Sequence, residues 1–252
     1  MKTQVTCTAI VILTIVSATL YFSPVGSELS DDRKTLVALI DTGVQVNLTE
    51  FAEYEISQVS DNPSGAHGTM VLSVLLGLTG EAKPIPPERV RVLSLDVGEG
   101  ATAKNLASAI DVAVDAGAEL ISISMGVRRP SIELEDAMKR ANEARILVVA
   151  SAGNVRSLDA DYPARYRNAL SVSAVDSSGN YASFAGRKSV DAVALGVDVP
   201  VLRSDGRRGQ ESGTSLATAT VSQKIISELV AGEIDRATDH MPNSPAQRSA
   251  DN

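Results

Sequence analysis

The chain is predicted to fold as an α/β domain with a central, mostly parallel sheet flanked by helices. Three observations predict this. Short apolar runs rich in Val, Ile and Leu recur from Thr35 onward, stretches with apolar residues at three- and four-residue spacing lie between them, and turn residues separate the two kinds. Strands that read as continuous apolar runs are buried on both faces, which is the habit of parallel rather than antiparallel sheets.

Taken in order, Lys2 precedes an apolar run from Val5 to Phe22, and Ser23, Pro24, Val25, Gly26 and Ser27 follow it. Residues 1–27 are therefore expected to be a signal peptide with a small-residue cleavage region, or an uncleaved membrane anchor through residues 5–22. Either places the following domain outside the cytoplasm, secreted or tethered to a membrane. Strands are expected at Thr35 to Ile40, Val90 to Leu95, Glu119 to Ser124, Ile146 to Ala150, Ala169 to Val175 and Asp191 to Leu195. Helices are expected over Ala103 to Ala116, Ile132 to Ala144 and Thr214 to Val230, with a further one opening at His67. After Gly232 the chain turns polar and loses apolar periodicity, so residues 233–252 are expected to be a flexible tail, leaving 33–232 as one catalytic-sized domain.

Composition narrows the function. A hydrophobic fraction of 44% with 21% charged residues suits a packed globular core. The net charge of −8, without clustered Lys and Arg, excludes nucleic acid as a partner, because phosphate binding depends on such clusters. The single cysteine, Cys7, lies in the apolar N-terminal run, so the domain holds together without an internal disulfide.

Four short motifs carry candidate chemistry. Asp41-Thr42-Gly43 follows the first strand and sets a carboxylate at its carboxyl end, where α/β sheets build their sites. The same triplet serves aspartic peptidases, but these need two carboxylates sharing a proton and no second such triplet occurs; Asp41 alone is also a suitable turn cap. His67-Gly68-Thr69 opens a helical stretch, and the only other histidine, His240, lies in the polar tail, so His67 is the one candidate histidine base in the domain. Gly213-Thr214-Ser215-Leu216-Ala217 puts Ser215 in the first turn of the last helix, where free N–H groups and the helix dipole favour an oxyanion; an N-cap serine looks the same. Ser151-Ala152-Gly153-Asn154 delivers the Asn154 amide at a strand end, a turn position that also suits a donor to an oxyanion. Clustered metal-ligand histidines are absent, which argues against a metal hydrolase, and no cofactor is implied.

The order Asp, His, Asn, Ser, each beside a strand end or helix start, resembles the subtilisin-like serine peptidases over roughly Thr35 to Gly232. The resemblance implies a three-layer subtilisin-like fold and peptide-bond hydrolysis through an acyl-enzyme, on protein or peptide substrates. It implies Ser215 as nucleophile, His67 as general base, Asp41 as the residue orienting His67, and Asn154 with the Ser215 N–H as oxyanion donors. It also implies that Ser124-Met125-Gly126 pairs with the substrate backbone and lines the first specificity pocket, with Gly98-Glu99-Gly100 as the opposite wall. Val155 offers no charge beside that pocket, so an apolar or aromatic residue before the cut is expected. Tyr162-Pro163-Ala164 and Ala182-Ser183-Phe184 resemble structural segments of the family.

Three departures stand out. Leu216-Ala217-Thr218-Ala219 replaces the family's Met-Ala-x-Pro after the nucleophile, and Leu preserves the bulk of Met. Pro84, Pro86 and Pro87 occupy a short loop where many relatives carry an Asn-rich calcium loop, so no tight calcium site is expected there. Only about a dozen residues separate the apolar run from the first strand, too few for the folding propeptide of secreted relatives. Unaided folding, a separate folding chaperone, or a catalytically inactive peptide-binding scaffold are the readings this leaves.

Overall fold

The computed structural model describes residues 33–60, 65–80, 82–155 and 159–241. The expected signal or anchor segment lies outside the described residues. In chain order the elements are β1 (Thr35–Asp41), β2 (Glu55–Val59), α1 (Ala66–Leu75), β3 (Val90–Asp96), α2 (Ala103–Asp115), β4 (Leu120–Ile123), α3 (Ile132–Glu143) and β5 (Leu147–Ser151). They continue with β6 (Ala169–Val175), β7 (Ala192–Leu195), β8 (Val199–Leu202), β9 (Arg208–Glu211) and α4 (Thr214–Ala231).

Seven strands form one sheet in the order β2-β3-β1-β4-β5-β6-β7, with every neighbouring pair parallel. The alternation of side chains along β1 divides the core in two. Val37 and Leu39 join Leu72, Leu75, Ile225 and Ile226 beneath α1 and α4, whereas Leu36, Ala38 and Ile40 join Leu106, Ile110, Leu134 and Met138 beneath α2 and α3. Helix, sheet, helix is thus the layering.

The two outer helices follow directly from their spacing. In α2 the buried residues include Leu106, Ala109, Ile110 and Ala113, and α3 repeats the interval with Leu134, Ala137, Met138 and Ala141. Thr102 and Ser131 cap them, each accepting a backbone N–H from three residues on. Helix α4 differs, because Thr214 through Ala219 are all buried. Small side chains let it pass close to the sheet, and its buried hydroxyls are satisfied: Thr218 Oγ1 donates to the Thr214 carbonyl at 2.8 Å, and Ser222 Oγ to Ser122 Oγ at 3.1 Å.

Strand order expands outward from β1, with β3 on one side and β4 on the other. That reversal of winding leaves a crevice at the carboxyl ends of β1 and β4, the position at which sheets of this type bind ligands. Outside the large sheet, β8 and β9 form an antiparallel hairpin leading into α4.

Structure continues beyond Gly232. Residues 237–240 form a 3-10 turn, Ala237 is buried against the α4 side of the core, and the His240 Nε2 and Glu228 carboxylate lie 2.5 Å apart. Residues 242–252 lie outside the described residues. Among those described, no helix is long and apolar enough to cross a membrane.

Leu39 is fully buried at the middle of β1. Leu39→Ala is expected to lower the unfolding free energy by about 2–5 kcal/mol, read from the urea midpoint at unchanged slope.

Candidate active site

Asp41, the last residue of β1, is fully buried. Its Oδ1 accepts the Thr42 N–H at 2.6 Å, and its two oxygens lie 2.8 and 3.0 Å from His67 Nδ1. A carboxylate accepts only, so Nδ1 carries the proton and Nε2 is left as the outward lone pair. The helix that carries His67 is pressed against the end of β1. Gly65 begins it in a left-handed conformation, the Gly68 N–H donates to Thr42 Oγ1 at 3.3 Å, and a Cβ at Gly68 would overlap the Gly43 carbonyl. Burial opposes protonation of His67, but the hydrogen bond and charge of Asp41, with the charges of Glu99 and Glu211, hold its pKa above the usual histidine value.

Ser215 is the second residue of α4, in the turn whose N–H groups have no intrahelical acceptor. Its hydroxyl donates to the Ser124 carbonyl at 2.9 Å, and having one proton it does not donate to His67 in this state. Asn154 follows β5 through Gly153, which has φ +91°. The Asn154 Oδ1 accepts both the N–H and the hydroxyl of Thr214 at 3.0 Å each, which turns the Nδ2 donor the other way. Ser124 is tied to β1 in turn, its N–H donating to the Ile40 carbonyl at 3.3 Å. Hydrogen bonds therefore run from the end of β1 through Ser124 to Ser215, and from Thr214 to Asn154.

The remaining expected positions gather around the same edge. Gly126 packs on Asp161 and Tyr162, with Val127 and Tyr162 exchanging backbone hydrogen bonds at 2.8 and 2.9 Å. Met125 is half-buried against the α2 and α3 side of the core. Gly98, Glu99 and Gly100 follow β3 with open space beside both glycines, and Glu99 acts on His67 through its charge. Among the described residues, no group of three or more His, Cys, Asp or Glu is arranged to hold a metal ion. Thr214 was not singled out by sequence reasoning, since a threonine bonding an asparagine 60 residues away leaves no local pattern.

Residues 32–231 match the Subtilase family. The chain belongs to that family. It is 33% identical over 197 residues to subtilisin BL of Lederbergia lenta, covering 74% of this chain and 72% of that protein. It is 34% identical to a thermostable alkaline protease of Halalkalibacterium halodurans, again over 74% of this chain but only 54% of the relative. Among solved structures, the protease domain of PatA superposes with a TM-score of 0.71 at 27% identity, covering 81% of this chain and 84% of that one. The prenylagaramide maturation protease PagA gives 0.69 at 26%, covering 81% and 79%. This subtilase shares their three-layer α/β architecture, as the resemblance implied, and it is a serine-type endopeptidase.

In this subtilase Gly68 leaves no space for a side chain. Gly68→Ala is expected to displace His67 from Asp41 and to lower the thermal midpoint. An unaltered midpoint would count against the close contact with Gly43.

Proposed function

We propose that Asp41, His67 and Ser215 are the catalytic triad of this endopeptidase, with Asn154 Nδ2 and the Ser215 N–H as its oxyanion donors. The observation that carries the proposal is the bond between His67 Nδ1 and the buried Asp41 carboxylate, because it leaves Nε2 as a base facing outward. Rotation of Ser215 about χ1 transfers its hydroxyl from the Ser124 carbonyl to that lone pair. Ser215 Oγ then attacks the substrate carbonyl carbon while Nε2 takes the hydroxyl proton, and the carbonyl oxygen becomes an oxyanion. Collapse breaks the C–N bond as His67 returns the proton to the leaving amine. Water, deprotonated by His67, attacks the acyl-enzyme and releases the acid and free Ser215.

The orientation of Asn154 supports its part. Thr214 occupies Oδ1 twice, so the amide needs no reorganisation to present Nδ2. Substrate is proposed to lie as an extended chain between Ser124-Met125-Gly126 and Gly98-Glu99-Gly100, which favours proteins and peptides held by their backbone. Export through residues 5–22, cleaved or retained as an anchor, belongs to this proposal, as does folding with the help of a separate chaperone.

Fluorophosphonate labelling read by intact mass tests the nucleophile: one adduct on the parent protein and none on Ser215→Ala is expected, and an adduct that persists on the variant overturns the assignment. Asn154→Ala is expected to lower kcat by about 10²–10³ with a smaller change in KM.

The raised pKa of His67 fixes a sign. Only the neutral imidazole accepts the Ser215 proton, so kcat/KM should rise with pH through a midpoint above about 6.5, and Glu99→Gln should move that midpoint down. Protonated His67 is favoured by the fold, so its stabilisation is full below the unfolded value and fades as pH rises through the folded one. A midpoint at or below the free-histidine value would contradict the arrangement.

A further inference from the structure

We infer that Asp161 selects substrates with a cationic side chain, lysine or arginine, on the residue before the scissile bond. The inference rests on the triad reading above and gives that site its substrate class.

Asp161 is held where two site segments meet. Its N–H donates to the Ala152 carbonyl at 3.1 Å, and its neighbour Tyr162 pairs in both directions with Val127. The side chain enters the gap between Gly126 and Gly153. A Cβ at Gly126 would come within 2.8 Å of the Asp161 Cβ, and one at Gly153 would overlap the Asp161 Oδ2. Both glycines therefore yield the space that this carboxylate fills.

The same two segments flank the reacting serine. Two residues before Gly126, the Ser124 carbonyl accepts the Ser215 hydroxyl, and one residue after Gly153, Asn154 bonds Thr214. With about 3.8 Å between successive Cα atoms, the two residues from Ser124 to Gly126 put an upper limit of a few residue spacings between the carboxylate and Ser215. On this inference the side chain of the residue whose carbonyl meets Ser215 and Asn154 lies between these two segments, with Asp161 at their far end.

The far end is charged and incompletely paired. The Asp161 side chain is 14% exposed; Oδ1 takes Arg128 Nη1 at 2.5 Å, and among the described residues Oδ2 carries no hydrogen bond. Arg128 is 47% exposed and reaches Asp161 from the solvent side, so it competes with a substrate cation for the carboxylate. An apolar side chain driven into the same gap would desolvate the carboxylate without pairing it. The net charge of −8 adds a long-range attraction for cationic peptides.

The test compares peptide anilides differing only in the residue before the anilide, Lys, Arg, Leu or Glu, on the full chain with active sites counted by fluorophosphonate. The Lys-to-Leu ratio of kcat/KM is expected to be at least tenfold, to fall tenfold or more in Asp161→Asn, and to rise in Arg128→Ala, which removes the internal competitor. An unchanged ratio in Asp161→Asn, with Ser215 still labelled, overturns the inference and leaves the triad standing. Should Asp161→Asn fail to fold, Arg128→Ala decides alone: a raised ratio supports the inference and an unchanged one overturns it. Absence of both labelling and turnover in the parent protein overturns the triad and the inference together.

Discussion

A fully buried carboxylate at the end of the central strand is the constraint on which the site depends. A charge removed from water without compensation destabilises a fold by several kcal/mol, so Asp41 has to be surrounded by donors. Two are supplied, the Thr42 N–H from its own chain and His67 Nδ1 from α1. The second arrives only because α1 starts in contact with β1, and that contact requires glycine at position 68 and a left-handed turn at Gly65. The interaction that makes Asp41 tolerable inside the protein therefore also fixes the tautomer and direction of His67. Folding and orientation of the imidazole are one event here.

Parallel strands do the rest of the gathering. Because every strand of the large sheet runs the same way, whatever follows a strand emerges at the same edge. Asp41 ends β1, Glu99 follows β3, Ser124 follows β4 and Asn154 follows β5, and the first turn of α4 approaches this edge between them. Groups that lie up to 174 residues apart in sequence, from Asp41 to Ser215, are brought together by the hydrogen-bonded register of the sheet.

The same logic decides what could be read from the chain alone. Strands β1 and β3 to β6 show as apolar runs, and α2 and α3 as three- and four-residue spacing, because each is buried along a face that its sequence must match; β7 shows as an apolar run too, although at the sheet edge it turns Val193 and Leu195 outward. Strand β2, with the pattern Glu-Ile-Ser-Gln-Val, sits at the sheet edge half in water, and alternation over five residues is too short to stand out. Strands β8 and β9 form a hairpin off the main sheet: β8 buries Val199, Val201 and Leu202 in the core but is only four residues long and interrupted by Pro200, and β9, Arg-Gly-Gln-Glu, is polar. After Gly232 the sequence lacks apolar periodicity, and the contacts found there, a buried Ala237 and the His240–Glu228 pair, involve residues too few to show as a pattern. Asp41, His67, Asn154 and Ser215 were legible because each stands beside a recognisable element end. Thr214 and Asp161 were not, since what makes them matter is a partner 60 and 33 residues away: Asn154 for the first, Arg128 for the second.

This separation explains why resemblance carries over the residues at strand and helix ends more readily than the choice of substrate. The groups around Ser215 are fixed by strand ends and a helix start, which any chain of this architecture must supply. The gap beyond them is closed by a loop residue, and what it presents is free to differ. Val155, the side chain next to Asn154 in sequence, is exposed and suggested an apolar pocket. Asp161 stands seven residues beyond Asn154, yet it lies against Gly126 and Gly153 and so forms the deeper boundary. Contact rather than sequence proximity decides which of the two a bound side chain meets, and in this chain the contact is with a carboxylate.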